Sequence, residues 1–228
     1  MNILGFHKLS LVDYPEKLSS VIFTGGCNFR CAYCHNKVIV NQEAETIDEV
    51  ALRKELLHRK KYVSSLCITG GEPTLQDDLV DFIHTYKKEG FNIKLDTNGS
   101  NPSVLKELLD RKLLDYVAMD LKTDIKEYER VIGKSGYEDK ILKSIGLLKS
   151  ASVDYEFRTT LVKDLISTKS IEGLKHMVQG SPKYVLQGVR VNEEVLCPNI
   201  KMQPYSKEEM EKLVDEFAPF TKETRLNL

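Results

Sequence analysis

Long apolar runs are missing from this chain. Nowhere among its 228 residues does an apolar stretch approach the roughly 20 that a membrane-spanning helix needs. The opening segment, MNILGFHKLSLVDYPEK, has no unbroken hydrophobic stretch and no small-residue cleavage site of the kind a secretory leader carries. An excess of either charge is missing too: 33 Lys and Arg face 34 Asp and Glu, a formal net charge of −1. That balance leaves no electrostatic footprint for nucleic acid or an anionic membrane, and it directs attention to a small-molecule or protein partner. Low-complexity sequence is absent, as is any Pro-, Gly- or Ser-rich linker long enough to separate a pair of domains. The expectation is a cytoplasmic protein of one domain, with 41% hydrophobic residues to fill its core.

Cysteine is scarce and odd in number. Five in a reducing compartment argue for metal binding or catalysis rather than disulfides. Three of the five fall within eight residues of GGCNFRCAYCHN (Gly25–Asn36): Cys27, Cys31 and Cys34, spaced Cys-x3-Cys-x2-Cys. The other two, Cys67 and Cys197, are single and distant, and match no motif.

What is present is an alternation of strand-like and helix-like segments. SVIFTG (Ser20–Gly25), SLCITG (Ser65–Gly70), NIKLDTNG (Asn92–Gly99), DYVAMDLK (Asp115–Lys122), VDYEFRTTLV (Val153–Val162) and KYVLQGVRV (Lys183–Val191) are rich in β-branched and aromatic residues and read as strands. Between them lie stretches with apolar residues at helical spacing. DEVALRKELLHRKK (Asp48–Lys61) is one, and DDLVDFIHTYKKEG, closed by Gly90, is the next. PSVLKELLDRKL, opened by Pro102, DKILKSIGLLKSA and the short SIEGLKHMVQG follow. SKEEMEKLVDEFAPF adds a terminal helix, with Ser206 as N-cap and Glu209 completing a capping box.

Strand ends at Thr24, Thr69, Asp96, Asp120, Arg158 and Gln187 are separated by 45, 27, 24, 38 and 29 residues. Such steps are close to the roughly 30 of one βαβ unit. Each end carries polar or glycine-rich residues, where parallel α/β proteins gather their sites. Six such ends suggest an α/β fold with parallel strands in an open or incomplete barrel, smaller than the full eight-stranded one. The expected division is an N-terminal extension at 1–19, a barrel core at 20–190 and a C-terminal extension with a helix at 191–228.

Soft thiolates select zinc or iron–sulfur clusters. A structural zinc site closes its tetrahedron with a second ligand pair, which this sequence does not offer nearby. A cubane cluster held by three thiolates leaves one iron without a protein ligand, an open position such as a catalytic centre needs.

CNFRCAYC resembles the Cys-x3-Cys-x-aromatic-Cys signature of the radical SAM superfamily. The resemblance implies a 4Fe–4S cluster on Cys27, Cys31 and Cys34, its fourth iron chelated by S-adenosyl-L-methionine, with Tyr33 against the adenine. GGEP (Gly70, Gly71, Glu72, Pro73) resembles the stretch that receives the methionyl amino group, with Glu72 placing a negative charge near the ammonium. More narrowly, SLVDYPEKLSSVIFTGGCNFRCAYCHN resembles the opening of glycyl-radical enzyme activases, above all those of anaerobic ribonucleotide reductase and next those of pyruvate formate-lyase. DTNG (Asp96–Gly99, with Asn98), MDLK and FRTTLV resemble the activases' third, fourth and fifth strand ends, and the likeness, over roughly residues 1–190, implies a partial (β/α)6 TIM-like barrel with parallel strands. The likeness implies that Asp96, Asp120 and Lys122 contact the ribose or methionyl part. It also implies that Arg158 lies near the methionyl carboxylate or the partner's loop. Gln187 stands where pyruvate formate-lyase activases carry a histidine. His35 and Asn36 are expected to support the cysteine loop, and His7, His58, His84 and His176 to be structural.

The activity implied is reductive cleavage of S-adenosylmethionine, with electrons from flavodoxin or ferredoxin. The resulting 5′-deoxyadenosyl radical takes a glycine Cα hydrogen from the partner enzyme. No pair of catalytic carboxylates is evident, and this chemistry needs none. Two alternatives stand beside it: a radical SAM enzyme acting on a small molecule, like 7-carboxy-7-deazaguanine synthase, and a non-catalytic metal-binding module.

Overall fold

A computed structural model describes residues 1–189, 195–196 and 202–227. Its strands are β1 (Ile3–Ser10), β2 (Ser19–Thr24), β3 (Ser65–Gly70), β4 (Asn92–Thr97), β5 (Tyr116–Asp120), β6 (Asp154–Leu161), β7 (Tyr184–Gly188) and β8 (Thr224–Asn227). Its helices are α1 (Lys37–Val40), α2 (Glu49–Arg59), α3 (Leu79–Lys88), α4 (Pro102–Asp110), α5 (Tyr128–Ile132), α6 (Glu138–Ser150), α7 (Thr168–Val178) and α8 (Lys207–Phe217). One sheet takes all eight strands in chain order. Every neighbouring pair is parallel except β1 with β2, which is antiparallel. Strand order that follows chain order, with helices as crossovers, makes a partial TIM-like barrel, and β2–β7 are the six parallel strands expected.

Local chemistry explains the element ends. Pro102 occupies the first turn of α4, where its missing N–H costs nothing, and Asn101 caps it by accepting from Val104 N–H. Asp48 caps α2 with bonds from Val50 and Ala51. Past α3, Gly90 takes φ +77°, a left-handed conformation that glycine adopts without strain. Ser206 and Glu209 form the expected reciprocal capping box on α8.

Two strands depart from the sequence expectation. Residues 1–19 supply β1, which runs antiparallel along β2. Near the other terminus, β8 pairs in parallel with β7. Both are edge strands, and β8 has only four residues.

The apolar core lies between the sheet and the helices. Outward residues of the strands, such as Ile22, Ile68, Leu95, Val117 and Phe157, pack with Leu56, Ile83, Leu108, Leu148 and Leu174 of the helices. The inner face is different: Lys94, Asp96 and Glu156 are buried there and Arg158 is half-buried beside them, among ion pairs and hydrogen bonds. Tyr14, from the turn joining β1 to β2, packs against Tyr116 with ring centroids 6.0 Å apart, at the N-terminal end of β5. The polar interior therefore opens toward the opposite, C-terminal ends of the strands.

Candidate active site

At those C-terminal ends lies a cavity of about 240 Å3. Cys27, Cys31 and Cys34 line it together with Tyr33. Gly70 ends β3 and Gly71 follows it, and Asp96 and Asn98 come from the end of β4 and beyond. Asp120 and Lys122, Arg158, and Gln187 complete the wall from β5, β6 and β7. Of the residues expected at the site, all but Glu72 and Pro73 face this cavity. His7, His58, His84 and His176 do not line it. Asn36 reaches across the loops, its Nδ2 donating to the Gly70 carbonyl at 3.5 Å. Cys197 lies outside the described residues.

The cysteine loop is held by its own backbone. Cys34 N–H donates to the Cys31 carbonyl at 3.0 Å, turning the chain so that its thiols share one wall. Phe29 N–H donates to Cys27 Sγ at 3.4 Å, and Asn98 Nδ2 approaches the same sulfur at 3.9 Å. Leu196 N–H donates to the Cys34 carbonyl at 2.8 Å, tying the C-terminal portion of the chain to the loop. Burial pushes the Cys27 thiol up to about 11 and the Cys31 thiol up to about 12. Both are therefore neutral until a metal displaces their protons.

Glu72 departs from its expected role. It is completely buried, and its carboxylate is turned away from the cavity. Oε1 accepts from Thr74 N–H (3.1 Å), Thr74 Oγ1 (2.6 Å) and Thr97 Oγ1 (2.8 Å), while Oε2 accepts from Asn98 N–H (2.6 Å). Its own N–H donates to the Gly26 carbonyl at 2.8 Å. Glu72 thus ties the loops after β2, β3 and β4 to one another, because so many donors outcompete a solvent-facing position. Burial raises its pKa, against the opposing effect of those donors. Pro73 is buried and starts a short 3-10 turn behind the wall. Gly71 is required by close approach: a Cβ there would overlap the Gly26 carbonyl.

Across the cavity floor runs a row of alternating charges. Lys94 Nζ pairs with Asp96 Oδ1. Asp96 Oδ2 accepts from Arg158 Nη1 at 3.2 Å, and Asp120 Oδ1 accepts from Arg158 Nε at 2.8 Å. Asp120 Oδ2 accepts from Lys122 Nζ at 2.9 Å. Register explains the reach: β5 places the small Ala118 opposite Asp96, leaving room for Arg158 to extend from β6 to β4. Burial opposes the charge on Asp120, but Arg158 and Lys122 override it and hold the carboxyl well below the usual range. Burial likewise opposes the charges on Lys122 and Arg158, and the carboxylates hold both above their usual ranges. Lys122 Nζ also lies 6.0 Å from the centre of the Tyr33 ring.

Lys94 was not singled out from the sequence, though a signal was there. In NIKLDT the apolar Ile93 and Leu95 alternate with Lys94 and Asp96, so one face of a buried strand is charged.

The donor set fits an iron–sulfur cluster with a bound organic ligand. Among the described residues no group of three or more His, Cys, Asp or Glu side chains is gathered closely enough to grip one metal ion. Three thiols on one cavity, Cys27, Cys31 and Cys34, are the soft donors that an iron–sulfur cluster takes. The Tyr33 hydroxyl is buried with no hydrogen-bond partner among the described residues, although the residue lines the cavity. A polar ligand would satisfy it. Residues 21–178 match the family model of the radical SAM superfamily.

The chain belongs to that superfamily. A radical SAM enzyme uses a 4Fe–4S cluster and S-adenosylmethionine, and the three cavity thiols are the donors such a cluster takes. A Methanocaldococcus jannaschii relative, provisionally named a glycyl-radical enzyme activating enzyme, is 40% identical over 192 residues, 81% of this chain and 78% of its own length. The pyruvate formate-lyase-activating enzyme of Clostridium pasteurianum is 28% identical over 204 residues, covering 80% of this chain and 84% of that protein. Among solved structures, Streptococcus suis SuiB bound to its precursor peptide SuiA superposes with a TM-score of 0.71 at 18% identity. That match covers 91% of this chain and 48% of SuiB, and it supports the fold. The chain is a radical SAM enzyme of the activase type. Among the described residues no helix is long and apolar enough to cross a membrane.

Proposed function

We propose that this radical SAM enzyme installs a glycyl radical on a partner protein, and that the partner is an anaerobic ribonucleotide reductase. The observation that carries the activase reading is the 40% identity, over most of both chains, to a relative named for that activity. The choice of a reductase rests on the opening SLVDYPEKLSSVIFTGGCNFRCAYCHN and on Gln187 at the end of β7, where a formate-lyase activase has histidine. The reading places the enzyme in an anaerobic cytoplasm, with flavodoxin or ferredoxin as electron donor.

Cys27, Cys31 and Cys34 would hold the cluster, and the wall facing them would hold S-adenosylmethionine. When bound, these two supply one electron and a carbon-centred radical able to take a hydrogen atom from a glycine Cα. The protein's role is binding and orientation. Asp96 and Asp120 offer acceptors for an ammonium or ribose hydroxyls, and Lys122 and Arg158 offer donors for a carboxylate. A zwitterionic aminocarboxylate matches this alternation, because it exchanges protein ion pairs for its own without leaving a buried charge alone. Tyr33 would lie along the adenine. Gly70 and Gly71 bring bare backbone to the cavity wall, where a Cβ on either would overlap the backbone of Thr24 or Gly26. Fixed charges on Asp120, Lys122 and Arg158 give no group poised to trade protons, which suits hydrogen-atom abstraction.

The test is anaerobic reconstitution followed by incubation with S-adenosylmethionine, reductant and purified glycyl-radical enzymes. A glycyl doublet in the EPR spectrum with the reductase, and none with pyruvate formate-lyase, is expected. Signal on formate-lyase alone would overturn the partner. Methionine and 5′-deoxyadenosine without any protein radical would overturn the activase reading.

A further inference from the structure

We infer that Lys94 is a positioning residue for S-adenosylmethionine, acting through Asp96 from beneath the site. Lys94 is 1% exposed and does not line the cavity, so it cannot meet a ligand itself. Its ammonium pairs with Asp96 Oδ1, and Asp96 does line the cavity. The two side chains stand two residues apart on β4 and share its inner face.

The second donor contact of Lys94 explains Cys67. Nζ lies 3.7 Å from Cys67 Sγ, directly across the β3–β4 register. Burial holds that thiol above its usual range, so it is a neutral acceptor for the ammonium rather than a competing charge. A buried ammonium is costly unless paired and hydrogen-bonded. Lys94 therefore keeps one oxygen of Asp96 turned toward the barrel axis.

Asp96 is pulled from two sides. Arg158 holds Oδ2 while Lys94 holds Oδ1. Without the ammonium, the carboxylate is free to turn both oxygens onto the Arg158 guanidinium, where a bidentate pair is the better geometry. That turn would draw Arg158 away from Asp120, its other partner at the cavity wall. One uncharged substitution at the base of the barrel would thereby disorganise two residues that face the ligand.

The inference rests on the reading of Asp96 as a ligand contact. A double-mutant cycle on ligand affinity separates the two. Wild type, Lys94→Met, Asp96→Asn and the double variant are reconstituted, their iron content matched, and the equilibrium dissociation constant of S-adenosylmethionine measured without reductant. Thermal unfolding of each cluster-free protein is recorded alongside. Lys94→Met should weaken binding roughly tenfold in the wild-type background, the size of one charge-assisted hydrogen bond. In the Asp96→Asn background the same change should shift affinity less than about twofold. Normal affinity in Lys94→Met with weakened affinity in Asp96→Asn would overturn the role of Lys94 alone. Equal losses in both backgrounds would overturn it as well, since they mark general destabilisation. Normal affinity in Asp96→Asn would remove the contact reading and the role of Lys94 together. Should Lys94→Met fail to fold, Lys94→Gln takes its place in the cycle and is judged by the same outcomes.

Discussion

The backbone N–H of Asn98 donates to Glu72 Oε2 at 2.6 Å, joining the loop after β4 to the loop after β3. With Thr74 and Thr97 on the other oxygen, that carboxylate is the anchor for both loops. Glu72→Ala would strand two N–H groups and two hydroxyls in a buried site. Such loss of a shared buried acceptor costs about 1–3 kcal/mol per stranded group at most, with partial relief from water. Urea unfolding of the cluster-free protein should show a lower midpoint with an unchanged slope. Glu72→Gln should lose less, since the amide oxygen keeps some of the set.

Tyr33 carries a hydroxyl that nothing among the described residues satisfies. Tyr33→Phe should therefore leave the cofactor-free protein as stable as before, or slightly more so. If the hydroxyl meets S-adenosylmethionine, the same variant should bind it roughly 2- to 10-fold more weakly, one neutral hydrogen bond's worth. Calorimetric titration and thermal unfolding, run side by side, separate the two effects.

Asp120 gives the acid limb of stability a defined sign. Its folded pKa lies below the unfolded value of about 3.9. The stability it contributes is present above that unfolded value and is lost as pH falls through the folded one. Asp120→Asn should cost about 2 kcal/mol at neutral pH, a figure tempered by the 28% exposure of the side chain. The variant should also lose less stability than wild type between pH 5 and pH 2. An acid limb as steep as the wild type's would show that other carboxylates carry it.

Removing single thiols should sort the described cysteines into two classes. Cys27→Ala, Cys31→Ala and Cys34→Ala each should abolish stable iron and sulfide incorporation and the broad visible absorbance of the cluster. Cys67→Ala should retain both in full, because its sulfur faces Lys94 inside the barrel. Chelating iron from the wild type should abolish tight S-adenosylmethionine binding.

Local chemistry was enough to determine much of this protein. Pro102, Gly90 and the Ser206–Glu209 capping box act within a turn or two of chain, so the helix limits they set are readable before any fold is known. The spacing of Cys27, Cys31 and Cys34 likewise needs only the loop that carries it, and the six parallel strands follow from their β-branched runs. Tertiary structure decided the rest. Nothing in GGEP reveals that Glu72 turns inward, because its four donors come from Thr74 and from a loop 25 residues away. The strands β1 and β8 exist because neighbouring edges offer unpaired backbone groups, a property of the sheet rather than of ILGFHKLS or TRLN. Lys94 reads on its own as one more surface lysine. It becomes the base of a charge row only when the curling of the sheet brings β3, β4 and β6 around one axis, where the low dielectric forces each charge to find its partner.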